Sequence, residues 1–207
     1  MHVPDRRDRE VAQRYFTPFI PHFTHCEHVV EVASGQGFFL EQMKQAGIQA
    51  TGLELDEALC EGMQARDLNV IQGDLFRYLE EYEGPLYDGC MASHIVEHFM
   101  PAQVEQMLAG LHRVSKPGAV LVILTPNIAN LRRAAGDFWR DPTHVRPYPV
   151  SALSKLLRRT GWQEESSGEH TDRQFSLKRK ITYALRNALM GRYWGGDDLY
   201  VIARRKG

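Results

Sequence analysis

From His28 to Thr125 the sequence alternates short apolar runs with amphipathic stretches, and each apolar run stops at a polar or glycine-bearing turn. A strand buried on both faces reads as a continuous apolar run, whereas a helix lying over it carries apolar residues three and four apart. Repetition of the two patterns leaves little choice but a parallel α/β sheet wrapped by helices. Strands are predicted at about 28–33, 49–54, 68–72, 86–92 and 118–125. Helical spacing joins Phe39, Met43 and Ala46, and again Val104, Leu108 and Leu111. Lys116-Pro117-Gly118 predicts a turn into the fifth strand. A helix over Ser151 to Thr160 should end at Gly161, where glycine permits a left-handed cap. Two late strands, 162–168 and 198–204, complete a doubly wound sheet of seven strands.

A chain of 207 residues with 43% hydrophobic content buries one core, so residues 1–207 are read as one domain. Residues 1–25 form a helical extension whose Tyr15, Phe16, Phe19 and Phe23 read as core more readily than as a lid. Residues 126–150 form a loop beyond the fifth strand, and 178–193 a basic amphipathic insertion with Ile181, Leu185 and Leu189 on one face. The net charge of −1 supplies no global attraction to nucleic acid. Cys26, Cys60 and Cys90 are odd in number and widely spaced, which opposes a disulfide framework and fits a reducing, cytoplasmic setting. No run reaches the ~20 apolar residues that span a bilayer, although a peripheral membrane contact of the basic insertion stays open.

The first strand runs into Glu31-Val32-Ala33-Ser34-Gly35-Gln36-Gly37, and a helix opens directly after it. Glycines there let the backbone turn sharply and a ligand approach without a Cβ in the way. Leu40 occupies the third glycine position of a dinucleotide fingerprint, which weakens a pyrophosphate reading. A strand acid before a small-residue turn suits instead a ligand bearing an ammonium group. Alanine at position 33 is expected to need negative φ and so to displace the loop slightly. The second strand ends at Glu54-Leu55, placing a carboxylate where ribose hydroxyls lie in a doubly wound fold. At the third strand's end Asp74 is positioned for an adenine amino group, with Leu75 covering the ring. Ser93 ends the fourth strand. Each polar strand end alone is as well explained as a helix cap; together they describe a nucleoside site.

On these residues the chain resembles the class I S-adenosylmethionine-dependent methyltransferases from about Cys26 to Ala203. Glu31 to Gly37 is similar to that family's glycine-rich motif, Glu54 to its ribose acid, Asp74 to its adenine acid, and Tyr87 to His98 to its fourth-strand motif. The fifth-strand region, Lys116-Pro117-Gly118 with Thr125-Pro126-Asn127, is similar as well. The resemblance implies S-adenosylmethionine as cofactor and a Rossmann-like sheet, mostly parallel with one antiparallel strand near the C-terminus.

Ser93-His94-Ile95-Val96-Glu97-His98 continues toward the methyl-transfer site, and His94 and His98 share a face if that turn is helical. The segment resembles the ExxEH element of small-RNA 3′-end 2′-O-methyltransferases and ubiquinone-biosynthesis O-methyltransferases, with His94 in place of the first acid. His144 resembles their further histidine. The likeness implies a divalent ion held by His94, Glu97, His98 and His144, with imidazoles favouring zinc, iron or manganese over magnesium. Without a metal, His98 or His144 is the general base, supported by Glu97. The run Asp141 to Tyr148 resembles one in polysaccharide- and sugar-associated methyltransferases, pointing to a small-molecule or glycan hydroxyl as acceptor. Alternatives are an RNA 2′-O-methyltransferase, disfavoured by the net charge and the missing acid, and a non-catalytic cofactor-binding module. An NAD-dependent oxidoreductase is disfavoured by Leu40.

Overall fold

The structure, a computed structural model, describes residues 6–171 and 195–207. The basic insertion expected at 178–193 lies outside the described residues. Helix α1 (Arg6–Phe16) leads through a short turn (Ile20–Phe23) into β1 (His28–Val32). Then follow α2 (Phe38–Gln45), β2 (Gln49–Glu54), α3 (Glu57–Gln64), β3 (Val70–Gln72), α4 (Leu75–Glu81) and β4 (Tyr87–Ser93). After α5 (Pro101–Arg113) and β5 (Ser115–Pro126), helical turns over 133–140 precede α6 (Val150–Arg159), β6 (Trp162–His170) and β7 (Asp198–Arg205).

The seven strands lie in the order β3-β2-β1-β4-β5-β7-β6. The first five pair in parallel, and β7 runs antiparallel to both β5 and β6. This is the Rossmann-like arrangement expected, with its single reversed strand near the C-terminus.

Side-chain alternation along β5 shows how the sheet is covered. Val120, Val122 and Leu124 pack with Phe16, Phe19, Phe23, Phe39 and Met43, while Leu121 and Ile123 pack with Val104, Leu108, Leu111, Leu157 and Trp162. Both faces of the run are therefore buried, which is why it carries no polar residue until Thr125. Trp162 satisfies its buried indole N–H on the Leu108 carbonyl at 2.9 Å. The aromatic N-terminal segment divides its labour: Phe16, Phe19 and Phe23 are core, but Tyr15 faces the carboxyl edge of the sheet.

Two boundaries differ from the sequence reading. Lys116-Pro117-Gly118 lies inside β5, where the pairing steps two residues along β4 (Tyr87 to Gly89) against five along β5 (Ser115 to Val120). Gly118, at φ 80°, makes this bulge possible, so the turn chemistry survives within the strand. Strand β3 starts at Val70 because Leu68 is still closing the end of α3, its N–H bonded to the Met63 carbonyl at 3.1 Å. Gly161 takes the left-handed cap expected after α6, at φ 86°.

Candidate active site at the carboxyl edge of the sheet

Strand order reverses between β1 and β4, and a crevice at such a point is where open α/β sheets bind ligands. Both strands leave the sheet there through a non-glycine residue in the left-handed region: Ala33 at φ 55° and His94 at φ 52°. The expectation that Ala33 needs negative φ is thus overturned. The loop keeps its shape and alanine bears the steric cost, about 1–2 kcal/mol. Strain of this kind gathers at functional sites.

The loop is held by hydrogen bonds on all sides. Ser34 N–H donates to the Leu53 carbonyl at 3.0 Å, and Gly37 N–H to that of Ser34 at 2.8 Å. Ser34 can lie this close to β2 only because Gly52 has no side chain; a Cβ there would come within 2.5 Å of Ser34 Oγ. Glu54 ties the loop to β2: Oε2 accepts from Gly35 N–H at 2.7 Å, and Oε1 from the N–H groups of Leu55 and Asp56 at 2.8 and 3.1 Å. One lone pair remains for a ribose hydroxyl, and a second hydroxyl must displace a backbone donor. Gly35, at φ 54°, has nothing within 4 Å of where a Cβ would stand, so the loop is open above it. The Gln36 carbonyl is occupied by the Arg66 guanidinium.

Glu31 is 3% exposed and its Oε2 has no hydrogen-bond partner. Burial pushes its carboxyl well above the usual range, against the Ser34 hydrogen bond and assisted by the charge of Glu54. A buried, unsatisfied carboxyl beside an open glycine turn is what an ammonium-bearing ligand would complete. Asp74 realises the helix-cap role, with Oδ1 accepting from Arg77 N–H at 2.9 Å. It is exposed, and its other oxygen is free for an adenine amino group. Leu75 is half-buried against the core, whereas Leu55 is 68% exposed.

Beyond Ser93, the turn containing Val96–His98 carries the residues expected on the acceptor side. Glu97 is fully buried. Its Oε1 faces His94 Nδ1 at 3.2 Å, its Oε2 accepts from Thr125 Oγ1 at 3.0 Å, and its backbone carbonyl accepts from Val145 and Arg146 N–H at 2.8 and 3.1 Å. Burial would raise its carboxyl pKa, but the His94 hydrogen bond and charge, with Thr125, bring it below the usual range. Burial would lower the pKa of His94, yet the Glu97 bond and the charges of Asp198 and Glu97 raise it. Tyr15 Oη lies 2.8 Å from His94 Nε2 and 3.1 Å from Asp198 Oδ2. With His94 as imidazolium every contact has a donor: Nδ1–H to Glu97, Nε2–H to Tyr15, and the Tyr15 hydroxyl to Asp198.

His98 and His144 are arranged differently. His144 Nδ1 lies 2.6 Å from the Phe138 carbonyl, which can only accept, so Nδ1 carries the proton. Thr143 Oγ1 donates to Asp141 Oδ1 at 2.5 Å and therefore accepts from His98 Nδ1–H at 2.9 Å. Among the described residues neither Nε2 is engaged in a hydrogen bond, although that of His144 lies 3.9 Å from Asp141 Oδ2, and the ring centroids are 4.8 Å apart. Glu97, His98 and His144 each offer a ligand atom, all within 4.8 Å of one another. His94 stands outside that group. The turn after β4 is 3₁₀ rather than α-helical, and the left-handed His94 does not share a face with His98.

Tyr15, expected as core, Thr125, expected only within the fifth-strand motif, Asp141 and Thr143, expected only as part of the 141–148 run, and Asp198, not expected in the site at all, also take part in it. Asp198 had a readable signal: if the last strand is antiparallel, its first residue lies beside the carboxyl end of β5, as the Pro126–Asp198 pairing shows.

A crevice at the switch point, a glycine turn fronting a buried acid, and carboxylates at successive strand ends define a methyltransferase that uses S-adenosylmethionine. The chain belongs to the methyltransferase-domain family, which matches residues 5–167. Among solved structures, it is similar to an S-adenosylmethionine-dependent methyltransferase from Archaeoglobus fulgidus, with 25% identity over 95% of this chain and 94% of that one and a TM-score of 0.78. The fold is shared with a Mesorhizobium loti enzyme of the same description, at 18% identity over 94% and 98% of the two chains and a TM-score of 0.67. It is shared too with a Haloferax volcanii complex of the Trm112 activator and a putative methyltransferase, at 15% identity over 98% and 95% and a TM-score of 0.71. No curated protein matches by sequence. Among the described residues, no helix is long and apolar enough to cross a membrane.

Proposed function

We propose that the protein methylates a hydroxyl oxygen of a small-molecule, sugar or glycan acceptor. The observation that carries this reading is the pair of free Nε2 atoms on His98 and His144. A neutral alcohol is a poor nucleophile, and a positioned base that takes its proton is the help it needs. When bound, S-adenosylmethionine supplies the electrophilic methyl carbon. Glu31 and the backbone of Ala33, Ser34, Gly35, Gln36 and Gly37 face its amino-acid end, Glu54 and Leu55 its ribose, Asp74 and Leu75 its adenine, and Ser93 the edge between donor and acceptor. On the other side His98 or His144 accepts the hydroxyl proton at Nε2. Each ring is fixed in the required tautomer, one by Thr143 and Asp141 and the other by the Phe138 carbonyl. Buried Glu97 anchors the loop that brings His144 to His98.

A second reading rests on the same three side chains. Glu97, His98 and His144 would hold a divalent ion, and each histidine already donates its other ring N–H to an oxygen, as ligating histidines do. His94, committed to Glu97 and Tyr15, would then orient Glu97 rather than ligate. Such an ion would lower the pKa of a bound hydroxyl. The free thiols of Cys26, Cys60 and Cys90 fit a cytoplasmic setting.

The test is a panel of hydroxylated acceptors incubated with methyl-labelled cofactor, with and without chelator. Label that survives mild alkali as an ether supports oxygen methylation of a hydroxyl. Label released as methanol marks a carboxyl ester, and label on nitrogen removes the proposal. Loss of turnover on chelation, restored by zinc or manganese, selects the metal reading.

A further inference from the structure

Beside His144 the loop enters a groove of ≈ 610 Å³ between the start of α5 and α6. Its lining includes Arg146, Lys155, Arg158 and Arg159, with Tyr148 and Pro101 forming apolar wall. All four cationic side chains are exposed. Only Arg159 has a carboxylate partner among the described residues, Glu105 at 3.5 Å. The groove therefore concentrates positive charge on a chain whose net charge is −1.

Arg158 and Arg159, in the last turn of α6, would by themselves be explained by the helix dipole and a solvated face. The dipole does not reach Lys155, a turn earlier on the same exposed face, and neither explanation reaches Arg146, on a different segment. The Arg146 guanidinium lies over the Tyr148 ring, 5.6 Å from its centroid. Tyr148 is itself buried and fixed by its hydroxyl's bond to the Phe99 carbonyl at 2.7 Å. Arg146 is thus held at the groove by stacking on a rigid ring, with no carboxylate drawing it away. Its backbone N–H is bonded to Glu97, and two residues of extended chain from His144 span at most about 7 Å. Of the groove's lining, Arg146 follows His144 by two residues and Pro101 follows His98 by three, which sets the groove next to the histidine pair along the chain.

We propose that the groove binds a phosphoryl group of the acceptor, so that the substrate is a small phosphorylated molecule of sugar-phosphate or nucleotide-sugar type. The inference rests on the transfer site proposed above. Guanidinium forks match phosphate oxygens, and the size of the groove falls within the roughly 300–1,000 Å³ of small-ligand sites. A phosphate near Arg146 and a hydroxyl near His98 and His144 fit on one compact molecule.

The test is calorimetric titration of the full chain, saturated with S-adenosylhomocysteine, using UDP-glucose and glucose 1-phosphate as probes and glucuronate as a phosphate-free anion. Saturable binding of a phosphorylated probe is expected, weakened tenfold or more in the Arg146→Gln/Arg158→Gln variant. The affinity of that variant for S-adenosylhomocysteine should be unchanged. Equal binding of glucuronate, no saturable binding, or binding indifferent to the two substitutions would overturn the proposal. So would tighter, steeply salt-dependent binding of a single-stranded RNA through the same residues, which would make the acceptor a nucleic acid. Because the readout is binding, failure of the groove leaves the transfer chemistry standing. Loss of hydroxyl methylation in the acceptor panel would conversely leave the groove result intact.

Discussion

The hydroxyl of Tyr15 lies 2.8 Å from Nε2 of His94, residues 79 positions apart in the chain. Through this contact, and the 3.1 Å bond from Tyr15 to Asp198, α1 is fastened to the residue that follows β4 and to the first residue of β7. Tyr15→Phe removes the hydroxyl and leaves the ring. Unfolding free energy should fall by about 1–3 kcal/mol, the cost of leaving charged or buried partners unmet. Amide exchange in α1 should rise more than exchange in β4. Urea denaturation with hydrogen exchange checks both, and an unaltered α1 would show that the contact does not fasten the helix.

The His94–Glu97 pair should give stability a bounded pH window. His94 has a raised pKa, so its contribution is complete below its ordinary value of 6.5 and is lost as pH rises through the folded value. Glu97 has a lowered pKa, so its contribution is present above its ordinary 4.5 and is lost as pH falls through the folded value. Buried Glu31 runs the other way, losing stability as pH rises above 4.5. The useful quantity is therefore the difference from His94→Asn, which keeps a residue tolerant of the left-handed backbone. That difference should be greatest between about pH 4.5 and 6.5 and shrink on both sides. A flat difference from pH 4 to 9 would remove the ion pair.

Ala33→Gly should stabilise the free protein by up to about 1 kcal/mol, because relief of the left-handed strain exceeds glycine's entropic penalty. Ala33→Val should destabilise it, since branching at Cβ worsens the same clash. Denaturant midpoints of the two variants should fall on opposite sides of the parent.

Glu54→Ala and His98→Ala should separate binding from turnover. The first removes the acceptor that ties Gly35 to β2 and that is proposed to face the ribose, so affinity for S-adenosylhomocysteine should drop tenfold or more. The second should leave that affinity intact and lower kcat by about 10²–10⁴-fold. Calorimetry and initial rates on both variants decide the assignments. Full turnover in His98→Ala would pass the role of base to His144.

The strands were legible because burial on both faces leaves an unbroken apolar run, as at Val120 to Leu124. The glycine turn and Glu54 were legible because each lies at the end of such a run. Ala33 was misjudged because residue type reports preference, whereas the bonds of Ser34 and Gly37 fix the loop whatever stands before them. The site contacts of Tyr15, legible only as a core aromatic, of Thr143, legible only as part of a polar run, and of Asp198 are not spelled out in the sequence for a different reason. Their partners lie 79, 45 and 183 positions away, and no local pattern encodes a contact made by folding. As metal ligands the three histidines read alike in sequence; the left-handed turn at His94 and its bonds to Glu97 and Tyr15 separate it from His98 and His144.

Strand β7 is inserted between β5 and β6 although it follows both in the chain. During synthesis, β6 emerges with no neighbour to pair with and must wait, leaving the edge of β5 uncovered. Asp198, at the first position of β7, arrives with the strand that fills the gap, and only then can Tyr15 find its second partner. The contact between Tyr15 and Asp198 therefore depends on the last strand of the chain being in place.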